Sequence, residues 1–253
     1  MTEEARPTVP LVVNFIGLPI HALTMPQSIA LAERFMRAGG HYQHVALNAD
    51  TVVQARRDET LTRIIRNSSM VTADGQSIVW ASRLLGCAVP ERVTGIDFML
   101  GLWSCSVQNG FRVYLLGADQ EALEGTVSAA LSLGVDVVGF RNGYWSSDEE
   151  ESVVEKVRAA NPDLLCVALP SPRKERFIAE HLYDLGATLA IGVGGAFDVV
   201  AGRTKRAPRW MQEAGLEWAY RLIQEPKRMF RRYLLGNIRF IIIVLRARFS
   251  ASQ

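Results

Sequence analysis

Several common features are scarce or absent in this 253-residue sequence. It has only three cysteines, Cys87, Cys105 and Cys166, which are far apart and lie in or beside apolar runs. This spacing argues against disulfides and cysteine metal sites and indicates reduced thiols buried in a core. The longest uninterrupted apolar run near the end of the chain, residues 240–245, is far too short to span a bilayer. The first ten residues lack the apolar stretch of a signal peptide, so we expect a cytoplasmic protein.

The short motifs that mark common catalytic sites are also missing. The sequence contains no D-x-D pair, no H-E-x-x-H, no Walker A loop, no G-x-G-x-x-G fingerprint and no G-x-S-x-G elbow. His41 and His44 are too close together for the zinc-binding helix of the H-E-x-x-H type, and we expect them to flank a strand. The sequence therefore predicts neither a metal site nor a bound cofactor.

Charge is distributed unevenly along the chain. The net charge is +2, but the segment from Arg203 to Arg248 holds twelve Lys or Arg against three Asp or Glu, a balance of +9. The remaining residues carry a net charge of −7. Such asymmetry indicates that the C-terminal segment faces an anionic partner. Because the hydrophobic periodicity changes there too, we predict a catalytic domain over residues 1–202 and a helical appendage over residues 203–253.

Strand-like apolar runs alternate with stretches of helical periodicity over the first 200 residues. Near-continuous apolar strands in such alternation are typical of an α/β fold, with a largely parallel sheet covered by helices on both faces. Ser147 is predicted to cap the helix over residues 148–160. The predicted strands cover residues 11–20, with a Gly-Leu-Pro break, 41–47, 70–74, 112–116, 136–140, 163–169 and 188–193. The predicted helices include residues 25–37, 51–67, 96–108, 120–133 and a segment ending at 183.

The stretch from residue 70 to residue 97 concentrates charge after a strand. Asp74 comes at the carboxyl end of that strand, beside the start of a helix, and Glu91, Arg92 and Asp97 follow within one connection. Ligands of open α/β sheets bind at this edge, and an ionised carboxylate there can accept a proton. The alternative is that Asp74 caps the helix, which Asp often does in this position.

The other candidate substrate-binding residues also follow predicted strands or lie in the same connection. Because the carboxyl ends of parallel strands lie on one side of a sheet, we expect these loops to converge on one cleft. No single member is specific, and the signal is their joint placement. The residues are Asn48, Gly75, Thr94, Gly95, Gly117, Tyr144, Arg173, Lys174, Glu175, Gly194 and Gly195.

Five of these residues, at three sites, have both a functional and a structural interpretation. Gly194 and Gly195 could let backbone N–H groups approach a phosphate, or could only form a tight turn that demands positive φ. Tyr144 could stack on a flat ring or fill the edge of the sheet. Arg173 and Lys174 could neutralise a diphosphate or a sugar carboxylate, or could lie in solvent at a helix start.

The segment after Pro226 has the pattern of an amphipathic helix. At about 100° per residue, Arg228, Arg232, Arg239 and Arg246 fall on one stripe, and aromatic and aliphatic residues, including Phe240, Ile241 and Val244, gather on the opposite side. A cationic stripe opposite an apolar face suits a helix lying in a membrane interface. The alternatives are a helix docked on the core and a nucleic-acid-binding helix, but tracking phosphates would not need so large an apolar face. The candidate membrane- or acceptor-contacting residues are Arg228, Arg231, Arg232 and Arg239.

Long segments of the sequence together resemble the WecG/TagA/CpsF family of bacterial glycosyltransferases. They are ADGQSIVWASRLLG followed by PERVTGIDFM, then YLLGADQEAL, PSPRKERFI and the run from GVGGAFDVVAGRTKRAPRW to EPKRMFRRYL. The resemblance extends roughly from residue 13 to residue 246.

The resemblance implies both a fold and an activity. It implies a Rossmann-like sheet with a C-terminal membrane-targeting appendage, placing the protein peripherally on the inner face of the plasma membrane. It also implies a metal-independent, inverting transfer from a UDP-sugar to a polyprenyl-diphosphate-linked glycan. The family's proposed base corresponds to Asp74, the arginine of its E-R-V-T-G segment to Arg92, and its nucleotide-contacting asparagine to Asn48. No nucleic-acid partner is implied, and a homo-oligomer is left open.

Two motifs depart from the family pattern. Ala46 replaces the usual threonine two residues before the asparagine, and the usual P-K-Q-E reads Pro172-Arg173-Lys174-Glu175. A cation thus replaces a glutamine, which favours a donor with a carboxylate, a uronic acid. The rival interpretation from another class is a regulator that binds a nucleotide or glycan on the same scaffold without turnover.

Overall fold

The computed structural model describes residues 11–213, 216–224 and 226–250, which fold around one six-stranded sheet. The strand order is β4-β3-β8-β7-β5-β6, and every neighbouring pair is parallel. This confirms the predicted α/β, Rossmann-like class. The eight strands are β1 Val12–Phe15, β2 Leu18–His21, β3 Tyr42–Leu47, β4 Met70–Ala73, β5 Arg112–Gly117, β6 Asp136–Arg141, β7 Leu164–Ala168 and β8 Leu189–Gly192.

Helices cover both faces of the sheet. Helices α1, α5, α6 and α9 pack on one face and α7 and α8 on the other, while α2, α3, α4 and α12 cluster at the end that holds β3 and β4. The helices are α1 Met25–Ala38, α2 Ala49–Ala55, α3 Glu59–Asn67, α4 Gln76–Leu84, α5 Gly95–Asn109, α6 Gln120–Ser132, α7 Glu150–Ala160, α8 Arg173–Glu180, α9 Ala196–Val200, α10 Arg209–Glu213, α11 Glu217–Gln224 and α12 Pro226–Ser250.

The first predicted strand, residues 11–20, is instead a hairpin. Strands β1 and β2 pair antiparallel, and Ile16 and Gly17 between them have φ angles of 54° and 82°. Positive φ at both central residues is the requirement of a type I′ turn, which matches the twist of the flanking strands. The hairpin packs beside β4, which is an edge strand of the main sheet.

Side-chain capping explains two further differences from the predicted helices. The helix expected over residues 51–67 is two helices, because the Asp58 carboxylate accepts the Leu61 N–H at 3.0 Å and starts α3 anew. Ser146, not Ser147, caps the next helical segment: its backbone and hydroxyl both donate to Glu149. A short 3₁₀ turn over residues 147–149 then leads into α7.

The last helix lies partly on the core. Phe240 and Val244 of α12 are 4% and 5% exposed, and the Phe240 ring stacks on Phe15 with centroids 6.4 Å apart. The expectation that these two residues belong to a membrane-facing side is therefore wrong, because both side chains are buried in the cluster that includes the β1–β2 hairpin and α2. Among the described residues, no helix combines the length and apolar character that crossing a bilayer requires.

Candidate active site

The predicted base and the predicted asparagine lie side by side where β4 and β3 end. The Asp74 N–H donates to the Leu47 carbonyl at 2.9 Å, which extends the ladder by one residue. A Cβ placed on Gly75 would lie 3.7 Å from the Asn48 Cβ. Strand pairing therefore fixes Asp74 beside Asn48, as the loop pattern predicted.

Asp74 is not the N-cap residue of α4. Gly75 is the N-cap residue and makes no side-chain cap. Instead, the half-buried Asp74 carboxylate accepts the Gly95 N–H at 3.0 Å through Oδ1. This contact joins the end of β4 to the first turn of α5, which is 21 residues away in sequence. The carboxylate is thus oriented by a backbone donor at the edge where an α/β sheet binds ligands.

The turn that holds Asp74 is itself capped by its own residues. Thr94 is the N-cap of α5, and its hydroxyl accepts the Asp97 N–H at 3.2 Å while donating to the Asp97 carboxylate at 2.5 Å. The Val93 N–H donates to the Ala73 carbonyl at 2.8 Å, so this connection meets the end of β4 on the side away from β3. Gly95 accordingly holds the Asp74 carboxylate through its backbone N–H, and Thr94 caps the same turn through its hydroxyl.

Arg92 lies in the same connection but points to the C-terminal segment. Its Nη1 donates to Glu217 at 3.1 Å and its Nη2 to the Gln212 carbonyl at 3.2 Å. Arg206 donates to Asp97 at 2.6 Å and lies 3.7 Å from Glu217. Burial alone would raise the pKa of Asp97, but the hydrogen bonds from Arg206 and Thr94 outweigh it and lower that pKa below its usual range.

Asn48 shapes the neighbouring helix start. Its side-chain oxygen accepts the Thr51 N–H at 3.0 Å and the Thr51 hydroxyl at 3.1 Å, which makes it the N-cap of α2. Within the described residues, none of its hydrogen bonds uses the side-chain amide N–H groups. Those donors remain for a ligand that lies between Asn48 and Asp74.

The Gly194–Gly195 turn follows β8, the other neighbour of β3. It therefore lies about 4.8 Å from the end of β3 and about 10 Å from that of β4, because strands are spaced by that interval. Gly194 has a φ of 54°, and a Cβ added to it would meet no atom within 4 Å. The backbone here is open to a ligand and adopts a conformation that favours glycine.

Lys174 and Glu175 form a buried ion pair in the first turn of α8. They are 8% and 2% exposed, and the ammonium group contacts the Glu175 carboxylate, which also accepts the Ser171 hydroxyl at 2.8 and 2.9 Å. The Lys174 stem crosses Gly192, where a Cβ would lie 2.9 Å from its Cδ and Cε. Lys174 is therefore not in solvent, in contrast to one of its two sequence interpretations.

Gly117, Tyr144 and Arg173 gather at the other end of the same edge. The Gly143 N–H donates to the Ala118 carbonyl at 2.7 Å, and Arg173 donates to the Gly143 carbonyl at 3.3 Å while its guanidinium lies 4.6 Å over the Trp145 ring. Tyr144 itself is 73% exposed. Because Gly143 lies against Gly117 and Leu169, Tyr144 follows a residue at the ends of β5 and β7, and β3 and β8 separate these ends from β4.

The predicted residues thus form two groups on one edge instead of a single point. Asp74, Asn48, Gly75, Thr94 and Gly95 meet at the ends of β4 and β3, and Gly194 and Gly195 are next in line. The second group comprises Gly117, Tyr144 and Arg173. Of the predicted tail residues, the Arg239 side chain is exposed, and the side chains of Arg228, Arg231 and Arg232 lie outside the described part of the structure.

The motifs of the sequence did not indicate that Arg206 and Glu217 contact Asp97 and Arg92. One signal could have found the second of these, because Glu217 is one of only three acids in a segment with twelve bases. A shallow pocket lined by Glu150, Phe177 and neighbouring residues of α7 and α8 was also not predicted. Within the described chain, Glu150, Glu180 and His181 have ligand atoms within 4.8 Å of one another, but Glu150 is held by Trp145 and His181.

Comparisons with known proteins identify a family and a relative of the chain. A family model for glycosyl transferases of the WecG/TagA/CpsF family matches residues 13–253. The chain is also 32% identical over 202 residues to a protein of Bacillus subtilis (strain 168), with 79% of this chain and 77% of that protein covered. That protein is named N-acetylglucosaminyldiphosphoundecaprenol N-acetyl-beta-D-mannosaminyltransferase.

Proposed function

The chain belongs to the WecG/TagA/CpsF family of glycosyltransferases, and from this membership we propose the reaction that it catalyses. It moves one sugar from a UDP-sugar to a polyprenyl-diphosphate-linked N-acetylglucosamine during the synthesis of a cell-surface polysaccharide. The acceptor is inferred from the name of the Bacillus subtilis relative. The observation that supports the chemistry most directly is the half-buried Asp74 carboxylate, oriented at the ligand-binding edge of the sheet.

In this proposal Asp74 is the general base of a single displacement. It removes the proton from the acceptor hydroxyl, whose oxygen attacks the anomeric carbon of the donor as the bond to UDP breaks. Attack from the opposite face inverts the anomeric configuration. The Gly95 N–H favours the ionised carboxylate, and Asn48 has amide donors for the nucleotide.

The charge of the leaving UDP has to be met by N–H groups of the protein. Two of the five N–H groups of Arg92 are used by Glu217 and Gln212, which leaves three for a diphosphate at this edge. The open backbone at Gly194 and Gly195 offers further donors within one strand spacing of Asn48. Donors aimed at developing charge are usually the largest contribution in such transfers.

The reaction is tested by UDP release. The purified chain is incubated with a panel of UDP-sugars and a polyprenyl-diphosphate-linked N-acetylglucosamine in the presence of lipid. We expect UDP release that depends on both donor and acceptor, together with a disaccharide product of inverted configuration. A regulator without turnover would bind UDP-sugars and release none, and that result would contradict the proposal.

The choice of a uronic acid donor rests on Lys174 and Arg173. Lys174 already faces Glu175, so a sugar carboxylate would have to share its ammonium group, while Arg173 is exposed beside the same loop. We expect Lys174→Gln to lower the ratio of kcat/KM for UDP-glucuronate to that for UDP-glucose by about 10-fold or more, since a charged hydrogen bond contributes about 1.5–3 kcal/mol.

A matched variant keeps this donor test interpretable. Lys174→Gln alone leaves Glu175 buried without its cation, which costs stability. The double variant Lys174→Gln, Glu175→Gln removes both charges and serves as the control for folding. An unchanged donor preference in the double variant, with the protein folded, would exclude a uronic acid read by Lys174.

Membrane association is supported by the outer side of α12. Ile238, Ile241, Ile242, Leu245 and Phe249 are 43% to 70% exposed and fall within one stripe at about 100° per residue, opposite the face that packs on the core. The exposed Arg239 and Arg246 flank that stripe. An apolar stripe bordered by arginines suits insertion into an anionic leaflet, which we place at the inner face of the plasma membrane.

A further inference from the structure

Two arginines and two carboxylates link the α4–α5 connection to the start of the appendage. Arg92 donates to Glu217 at 3.1 Å, Arg206 lies 3.7 Å from the other oxygen of Glu217, and Arg206 donates to Asp97 at 2.6 Å. We call these four side chains the clamp. Glu217 is the only member of the clamp that contacts both arginines, so it joins Arg92 to Arg206.

The clamp is more shielded from water than an ordinary surface ion pair. The side chains of Arg92 and Glu217 are 15% and 13% exposed, and those of Arg206 and Asp97 are 24% and 39% exposed. Its two positive and two negative charges balance, so the clamp as a whole has no net charge. Removal of one partner from such a set leaves the remaining charges poorly solvated, which costs more than loss of an exposed pair.

The clamp holds both ends of the turn that orients the proposed base. Arg92 is two residues before Thr94, and Asp97 is two residues after Gly95. Thr94 donates to Asp97, and the Gly95 N–H donates to Asp74. A closed path of contacts therefore runs from Asp74 through the turn to the appendage and back.

We propose that Glu217 is a positioning residue for the transfer reaction, acting through Arg92 and Arg206 to hold the Thr94–Gly95 turn against Asp74. The inference rests on the proposed role of Asp74 as base. The appendage then contributes to catalysis through a specific carboxylate, separately from any contact with lipid. A displacement of a catalytic group by about 1 Å can cost about 10²-fold in rate, so a loosened turn is expected to lower kcat.

The kinetic test compares Glu217→Gln with wild type in the UDP-release assay. We expect kcat to fall about 10- to 100-fold while the donor KM stays within about 2-fold, because Arg92 keeps its hydrogen bond to the Gln212 carbonyl and the N–H groups proposed for the diphosphate. Glu217→Asp should recover part of the activity, and Glu155→Gln, which removes a carboxylate from an exposed pair on α7, should leave kcat unchanged. Binding to phosphatidylglycerol vesicles should equal that of wild type.

A readout independent of turnover is hydrogen exchange at the Gly95 amide. In Glu217→Gln we expect this amide, which donates to Asp74, to exchange at least about 10-fold faster, while amides in β5 and β7 keep their rates. If wild type releases no UDP, the proposed function fails, and the exchange result still decides whether the clamp holds the turn. Arg206→Gln removes the ion pairs of Arg206 with Asp97 and Glu217. It is used in place of Glu217→Gln if that variant does not fold.

Several outcomes would overturn the inference. An unchanged kcat, or unchanged exchange at Gly95, would show that the turn does not depend on Glu217. A rise in kcat with a lower donor KM would identify Glu217 as a block that the donor must displace from Arg92. A rise in donor KM with kcat unchanged would assign Glu217 to ground-state binding of the donor.

Discussion

At the scale of single residues, His44 shows how burial sets a titration. It lies in β3, 2% exposed, with Nε2 2.8 Å from the Thr72 hydroxyl and its ring 4.7 Å from that of Phe98. Burial, and to a lesser degree the charges of His21 and Lys174, lower its pKa to about 3. The imidazole therefore remains neutral in the folded protein at any pH at which the enzyme is expected to work.

This shift predicts a loss of stability in mild acid. The unfolded chain binds the proton near pH 6.5 and the folded chain only near pH 3, so stability that is complete above pH 6.5 is lost as the pH falls between these values. Between pH 7 and pH 4.5 we expect His44 to remove roughly 2–3 kcal/mol of the free energy of unfolding. Urea denaturation at the two pH values measures it, with His44→Gln as the reference.

The reference variant isolates the histidine from the other titrating groups. All other acids and bases are common to both proteins, so the difference between their pH dependences reports His44 alone. A wild-type protein that lost no more stability than His44→Gln over this range would contradict the assignment.

The sequence could predict that Asp74 lies at the ligand edge, but not what holds it. A strand followed by Ala-Asp-Gly places the carboxylate at the end of β4 by pattern alone. The donor from Gly95 and the ion pairing of Lys174 with Glu175 are set by tertiary packing, and no local periodicity encodes them. For the same reason Arg92 was predicted at the site without its partner Glu217, which is 125 residues away.

At the scale of elements, α12 has two faces with different roles. Phe240 packs on Phe15 in the core, whereas the next residue, Ile241, is 54% exposed. We expect Phe240→Ala to lower the free energy of unfolding by about 3 kcal/mol, since it removes a buried ring. Ile241→Asn should change stability by less than about 0.5 kcal/mol, as for other exposed positions.

Vesicle binding should depend more on Ile241 than on Phe240, which is the reverse of the order expected for stability. Ile241→Asn removes apolar area from the proposed membrane face, so we expect its partitioning to phosphatidylglycerol vesicles to fall about 10-fold. Sedimentation with vesicles measures this, and phosphatidylcholine vesicles control for the contribution of the arginines. If Ile241→Asn bound vesicles as well as wild type, the exposed stripe of α12 would have no role in membrane binding.

Element types were predictable where periodicity was long, and element ends were not. The strands of the main sheet and helices such as α5 and α6 follow from apolar spacing. The break between α2 and α3 depends on one carboxylate of Asp58, and the β1–β2 hairpin on positive φ at Ile16 and Gly17. Such single residues decide where an element begins or ends, although the hydrophobic periodicity of the sequence continues through them.

At the scale of the whole molecule, strand order decides which loops can cooperate. The alternation of elements predicts a parallel sheet and one functional edge, but the order β4-β3-β8-β7-β5-β6 is set by crossover connections that composition does not specify. That order places Asp74, Asn48 and the Gly194–Gly195 turn after three successive strands, and it places Gly143, beside Tyr144, at the ends of β5 and β7. The appendage reaches the first group through the clamp.

The proposed transfer mechanism depends on Asp74 as the proton acceptor. Asp74→Asn keeps an oxygen that can accept the Gly95 N–H, so the turn and the fold should be preserved. The amide cannot remove a proton from the acceptor hydroxyl, and a general base typically contributes about 10²–10⁴-fold to the rate.

The most direct measurement is the single-turnover rate of sugar transfer by Asp74→Asn, with saturating donor and lipid-linked acceptor. We predict a folded variant that binds donor like wild type and transfers sugar about 10²–10⁴-fold more slowly. A rate within a few-fold of wild type would contradict the role of Asp74 and the mechanism built on it.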